Sequence, residues 1–283
     1  MSGSLTYLFG PFQDFGFMRM ALAACLALAL ANGPIGTLLL LRRMSLDSDV
    51  LSHAVMPGAA LGFLYAGYSL AALSVGGLVT GLLVAVLAGL VVRFLPRRRD
   101  GSLAAFYLYS LALGVTIIAV RGSNVDVMHV LFGTVLAVDV GSLVLICIVC
   151  SLTVLVVAGI YRPLSVETVD PAFLRTVGGG AMFGGIFVVL VILTLVASFQ
   201  AFGTLLAVGP MLLPAIAARC WTQRPGPTIA LAVALGVVSD IAGLLMSYYG
   251  NLPSGPAIVI AGGTLYGISL VAAGLLQSGD AGD

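Results

Sequence analysis

The chain has 283 residues, 60% of them hydrophobic and 8% charged, with a net charge of +1 and a mean hydropathy of +1.17. A soluble domain carries about a quarter charged residues, so this composition excludes a soluble globular protein and points to an all-α, polytopic integral membrane protein. The small net charge gives no electrostatic basis for a nucleic-acid partner. All twelve basic residues are arginine. A phosphate-binding loop of the G-x-x-x-x-G-K-[ST] type needs its lysine, so this chain holds no such ATP site.

Residues 1–15 read as a short interfacial lead containing Phe9, Phe12 and Phe15. Nine apolar stretches follow, at about 17–41, 54–66, 70–95, 103–120, 143–160, 179–199, 205–221, 228–249 and 257–276. They predict eight or nine transmembrane helices in a single domain over 1–283, with a short polar tail at 277–283. The second and seventh stretches are interrupted by proline. The first run is long and carries Arg19 near its start, unlike a cleavable signal.

Arginine placement orders these stretches. If Arg42-Arg43 faces the cytoplasm, strict alternation also puts 97–99, 161–176 and 219–224 inside. Only Arg121 is then a main exception to the positive-inside rule. The four cysteines, Cys25, Cys147, Cys150 and Cys220, sit in or beside apolar runs. Cys147-x-x-Cys150 has metal or redox spacing but no neighbouring His or Cys, so small apolar packing residues are expected there. Gly58-x-x-x-Gly62 and Gly77-x-x-x-Gly81 offer close helix contacts.

Polar residues inside apolar runs are costly, about 2.5–3.5 kcal/mol for a carboxylate at mid-membrane, and mark candidate sites. Asp49 and His53 are four residues apart, on one face of a helix. Carboxylate plus imidazole suits zinc, manganese or ferrous iron, and the lack of thiolate argues against copper(I). The same residues also fit a helix cap near Val50, with His53 satisfied by a carbonyl. Asp240, in the middle of the eighth stretch, fits a third ligand, a structural hydrogen-bonder or the lining of a wet cavity. Asp126, His129 and Asp139 fall in an external or re-entrant segment, where a solvated role or an entry vestibule is expected.

A family resemblance rests on three motifs in order along the chain. Met44-Ser45-Leu46-x-x-Asp49-x-Leu51-Ser52-His53-Ala54-Val55-x-Pro57-Gly58 resembles the signature of ABC-type permeases importing manganese, zinc or iron. Gly203-Thr204-Leu205-Leu206 through Pro214-Ala215-x-Ala217-Ala218-Arg219 resembles their coupling segment. Ser247-Tyr248-Tyr249-x-x-Leu252-Pro253-Ser254-Gly255-Pro256 resembles the segment before their last helix.

The resemblance implies a multi-pass permease of the bacterial inner membrane that is not itself an enzyme. It implies a homodimer enclosing the pathway, two nucleotide-binding ATPase subunits and an extracytoplasmic metal-binding protein. No permanently bound cofactor is expected, only the transported divalent ion, zinc or manganese ahead of iron. Asp49 and His53 would lie in the pathway, and Pro214, Ala215, Ala217, Ala218 and Arg219 would dock on the ATPase. Asp240 departs from the family pattern, which has a small or apolar residue there. Either it adds a ligand in this protein, or the correspondence with the family does not hold at that position. Two other readings compete: a proton-coupled secondary metal transporter using Asp240 and His53, and an ABC permease for a chelated metal such as a siderophore or cobalamin. A chelated metal would need no Asp49/His53 pair.

Overall fold

A computed structural model of the chain describes residues 10–67, 69–94, 99–120, 135–169, 180–203 and 206–280. Among these residues nine helices of eleven residues or more follow one another: α1 Gly16–Leu41, α2 Ser45–Ala66, α3 Leu70–Phe94, α4 Arg99–Val120, α5 Val140–Val169, α6 Gly180–Phe202, α7 Gly209–Arg219, α8 Pro225–Gly250 and α9 Ser254–Asp280. They match the nine apolar stretches one for one. All except α7 have 22 residues or more, enough at 1.5 Å per residue to cross a hydrocarbon layer of about 30 Å. The chain is thus a polytopic all-α membrane protein.

The seventh stretch departs from a simple span. Its helix, α7, has 11 residues, about half the length a crossing needs. The chain turns after α6 at Gly203, whose φ of 76° lies in the left-handed region that favours glycine. It then runs beside α1: Gly209 lies against Val259 near the start of α9, Gly36 lies against the Met211 carbonyl, and Ala215 and Ala218 cluster with Leu40.

Contacts at the two ends fix the alternation. At one end Arg42, closing α1, pairs with Glu167 near the end of α5, and Gly226 at the start of α8 lies beside Tyr161. At the other end the Val135 N–H donates to Ser254 Oγ at 3.0 Å, and Phe15 packs on Tyr248. Arg42, Arg43, Arg162, Arg219 and Arg224 therefore share one end of the bundle, which the positive-inside rule assigns to the cytoplasm.

α1 is the central helix. Of its most apolar window 72% is buried, against 17% for α3 and 22% for α5. Small residues make that possible: a methyl group on Gly33 would meet Val233 of α8, and one on Gly36 would overlap α7 backbone. The first small-residue pair expected from the sequence works the same way, since Gly58 and Gly62 of α2 lie against the Gly76 and Ala72 carbonyls of α3. Gly77 and Gly81 instead receive the side chains of Val55 and Ile192.

Candidate metal site

The site begins at the turn between α1 and α2. The Met44 N–H donates to the Leu39 carbonyl at 2.9 Å and the Arg43 N–H to the Leu40 carbonyl at 3.1 Å, with Arg43 at φ 56°. This is a Schellman termination with arginine in the position usually taken by glycine. It reverses the chain within three residues, so α2 starts at Ser45. The second stretch was expected to start as an apolar run at Ala54. The polar island instead forms the first turns of the helix, because the turn hands Ser45 directly into helical geometry. Hydropathy could not show this, since the island is polar while its backbone is helical.

Ser48, on this first stretch, is buried and donates its hydroxyl to the Ser45 carbonyl at 2.6 Å. Asp49 and His53 come together as their spacing requires: His53 Nε2 stands 3.8 Å from Asp49 Oδ1. That is beyond a direct hydrogen bond. Two donor atoms sharing one metal ion tetrahedrally at bond lengths of roughly 2.0–2.2 Å stand about 3.4 Å apart, so a small rotation of the exposed Asp49 side chain would bring the pair to that separation. The Asp49 side chain is 54% exposed and that of His53 is 6% exposed, so the pair runs from an accessible oxygen to a buried nitrogen.

The imidazole is held by packing. Its Nδ1 is buried without a hydrogen-bond partner among the described residues, and the ring meets Tyr107 of α4 edge to face, with centroids 4.6 Å apart and an interplanar angle of 89°. Sequence reasoning missed Tyr107, which sits in an apolar helix with no motif around it. It also missed the link from Arg42 to Glu167, at 2.7 Å, and from Arg42 to the Phe187 ring, 4.4 Å from the guanidinium carbon.

Asp240 is not brought to this pair. It is buried in α8, within electrostatic reach of Cys25 on α1. α8 packs on α1, α7 and α9, whereas α2 packs mainly on α3, α4 and α6. Among the described residues no third His, Cys, Asp or Glu completes a metal cluster.

Asp139 caps α5. Its carboxylate accepts the Ser142 N–H at 3.0 Å, and bonding to the Ser142 side chain and backbone holds its pKa below the usual carboxylate range. Asp126 and His129 lie outside the described residues. Cys25 and Cys150 are buried free thiols, as expected of packing residues.

The residues expected to dock on an ATPase divide in two. Pro214, Ala215, Ala217 and Ala218 are buried in this chain, where Ala215 and Ala218 form a cluster with Ala232 of α8 and Leu40 of α1. Their small size serves close helix packing. The turn after them is accessible instead: Trp221 and Arg224 are exposed, and Arg219 donates to Gln223 Oε1 at 3.1 Å.

Comparisons with known proteins agree with this architecture. Residues 14–273 match the model of the ABC 3 transport family. The chain is 31% identical to the manganese transport system membrane protein MntC of Halalkalibacterium halodurans, covering 94% of this chain and 90% of that one. It is 31% identical to the manganese import system permease protein ScaB of Streptococcus parasanguinis, covering 91% of each. The structure of PsaBC from Streptococcus pneumoniae in complex with Fab superposes with a TM-score of 0.85 at 28% identity, covering 94% of this chain and 95% of that one.

Proposed function

The chain belongs to the ABC 3 transport family, and from that premise we propose that it is the manganese-conducting permease subunit of an ATP-driven importer. The observation that carries this reading is the Asp49–His53 pair, placed 3.8 Å apart on the first turns of α2, with the carboxylate exposed and the imidazole buried. Oxygen and imidazole donors without a thiolate suit manganese or ferrous iron at least as well as zinc. Relatives such as MntC and ScaB are manganese transport proteins, which favours manganese.

The mechanism is alternating access. An external binding protein releases the ion, Asp49 and His53 take it up as transient ligands, and water or a second copy of the chain supplies the remaining coordination. A homodimer would form the pathway. ATP hydrolysis in two separate subunits would act through the turn Arg219–Arg224, where Trp221 and the two arginines are accessible at the arginine-bearing end. α7, buried against α1 and α8, would carry that movement inward to the bundle. Asp240 has a structural place in α8 beside α1 and no part in holding the ion.

The test is uptake by proteoliposomes containing the complete transporter, with ATP, the binding protein, and manganese, zinc and iron in competition. ATP-dependent manganese uptake, lost in His53→Ala and Asp49→Ala, is the expected result. Uptake driven by a pH gradient without ATP would overturn the reading in favour of a secondary transporter. Normal uptake by both variants would remove the site assignment.

A further inference from the structure

We propose that Tyr107 is a positioning residue for the metal pair, holding the His53 imidazole in the orientation that turns Nε2 toward Asp49. The proposal rests on the reading of Asp49 and His53 as ligands. A metal-binding histidine ordinarily donates its second ring nitrogen to a carboxylate, a carbonyl or water, and that bond fixes the ring. Among the described residues His53 has no such partner, because its Nδ1 is buried and unpaired. The side-chain torsion that sets the plane of a histidine ring is intrinsically broad. Something other than a hydrogen bond must therefore hold this one.

The Tyr107 ring is placed to do so. It meets the imidazole at right angles with centroids 4.6 Å apart, the arrangement in which aromatic pairs attract. Its own position is fixed by the packing of α4 on α2. A methyl group on Gly114 would meet Met56, and Leu111 and Ile117 pack on Met56 and Ala60. Tyr107, Leu111 and Gly114 form one stripe of α4, and His53, Met56 and Ala60 form the facing stripe of α2. The two helices run in the same direction, so the aromatic contact and the Met56 contact are successive levels of one interface.

Ring against ring needs an aromatic face and edge, and the hydroxyl has no part in it. Phenylalanine should replace Tyr107, whereas an aliphatic side chain of similar size should leave the imidazole free to turn. The loss falls on ion binding, since nothing in this contact touches the arginine-bearing end where the ATPase would act.

The experiment is equilibrium binding of Mn²⁺ to the purified permease–ATPase complex, read from the decline of the free aquo-Mn²⁺ EPR signal, with the subunit ratio measured alongside. Tyr107→Leu should weaken binding roughly three- to tenfold, the equivalent of one edge-to-face contact, in complexes that keep the subunit ratio of the unsubstituted one. Tyr107→Phe should bind as the unsubstituted complex does. Tyr107→Met repeats the aliphatic test if the leucine variant does not assemble.

Wild-type affinity in the aliphatic variants, or equal weakening in Tyr107→Phe, overturns the proposal. Loss of assembly in both aliphatic variants also overturns it, because the role would then be structural. Failure of the ligand reading itself shows differently, as binding by His53→Ala equal to that of the unsubstituted complex.

Discussion

Arg42 and Glu167 form an ion pair 2.7 Å long across 125 positions of sequence, joining the end of α1 to the end of α5. The side chains are 10% and 18% exposed, so the pair is neither a fully buried bridge nor a surface one. Arg42 also lies over Phe187 of α6, and its Nε is buried without a partner among the described residues. Three helices are thus tied at the turn that launches α2.

Glu167→Gln should therefore cost more than loss of a surface pair. Removing one charge from a buried pair costs about 3–5 kcal/mol; with this residual exposure roughly 1–3 kcal/mol is expected. Denaturant unfolding in detergent micelles reads it directly. A change below about 0.3 kcal/mol would show that solvent screens the pair as it does at a surface.

The contact between α2 and α3 makes a sharper steric prediction. A Cβ on Gly58 would overlap the Gly76 carbonyl, and backbone cannot rotate away as a side chain can. Gly58→Ala should lower stability by about 1–3 kcal/mol or more. Gly89→Ala on α3 meets nothing within 4 Å and should be neutral or slightly stabilising through helix propensity. Parallel unfolding curves of the two variants check the pair, and equal effects would remove the close-approach account.

These contacts mark the limit of what was legible in the residue pattern. The nine helices were legible because apolar runs of bilayer length admit few other structures. The pairing of Asp49 with His53 was legible from helical spacing. The start of α2 at Ser45 was not, because it depends on an αL arginine at position 43 and two backbone bonds rather than on hydropathy. Tyr107 and Glu167 were missed because each meets its partner through tertiary packing, with no local pattern to announce it. The motif of α7 displays small residues, and the tertiary packing of Ala215 and Ala218 against Leu40 and Ala232 has no local pattern to announce it.

Asp139 supplies a pH-dependent prediction at the start of α5. Its pKa is held down by bonding to Ser142, so its contribution is fully present above the unfolded carboxylate value near 3.9. It is lost as pH falls through the lower folded value. Asp139→Ala should cost about 0.5–1 kcal/mol at pH 7, the usual worth of an exposed cap. The difference from wild type should shrink below about pH 4. Unfolding curves at both pH values test this, and a pH-independent difference would show that charge plays no part in the cap.

Asp240 distinguishes a structural carboxyl from a pathway ligand. It is buried in α8, which packs on α1. Its neighbours on the same helix, Gly236 and Gly243, pack on Ala29 and Ile258. Asparagine preserves the shape of this side chain while removing its ability to ionise. Asp240→Asn should therefore keep stability within about 1 kcal/mol. It should also keep at least half of the ATP-dependent manganese uptake, under conditions where His53→Ala keeps none. Loss of uptake in a folded, assembled Asp240→Asn complex would place an ionisable group on the transport route and revive the proton-relay reading. Retention would leave Asp49 and His53 as the ion's ligands on this chain, with the charge at position 240 dispensable.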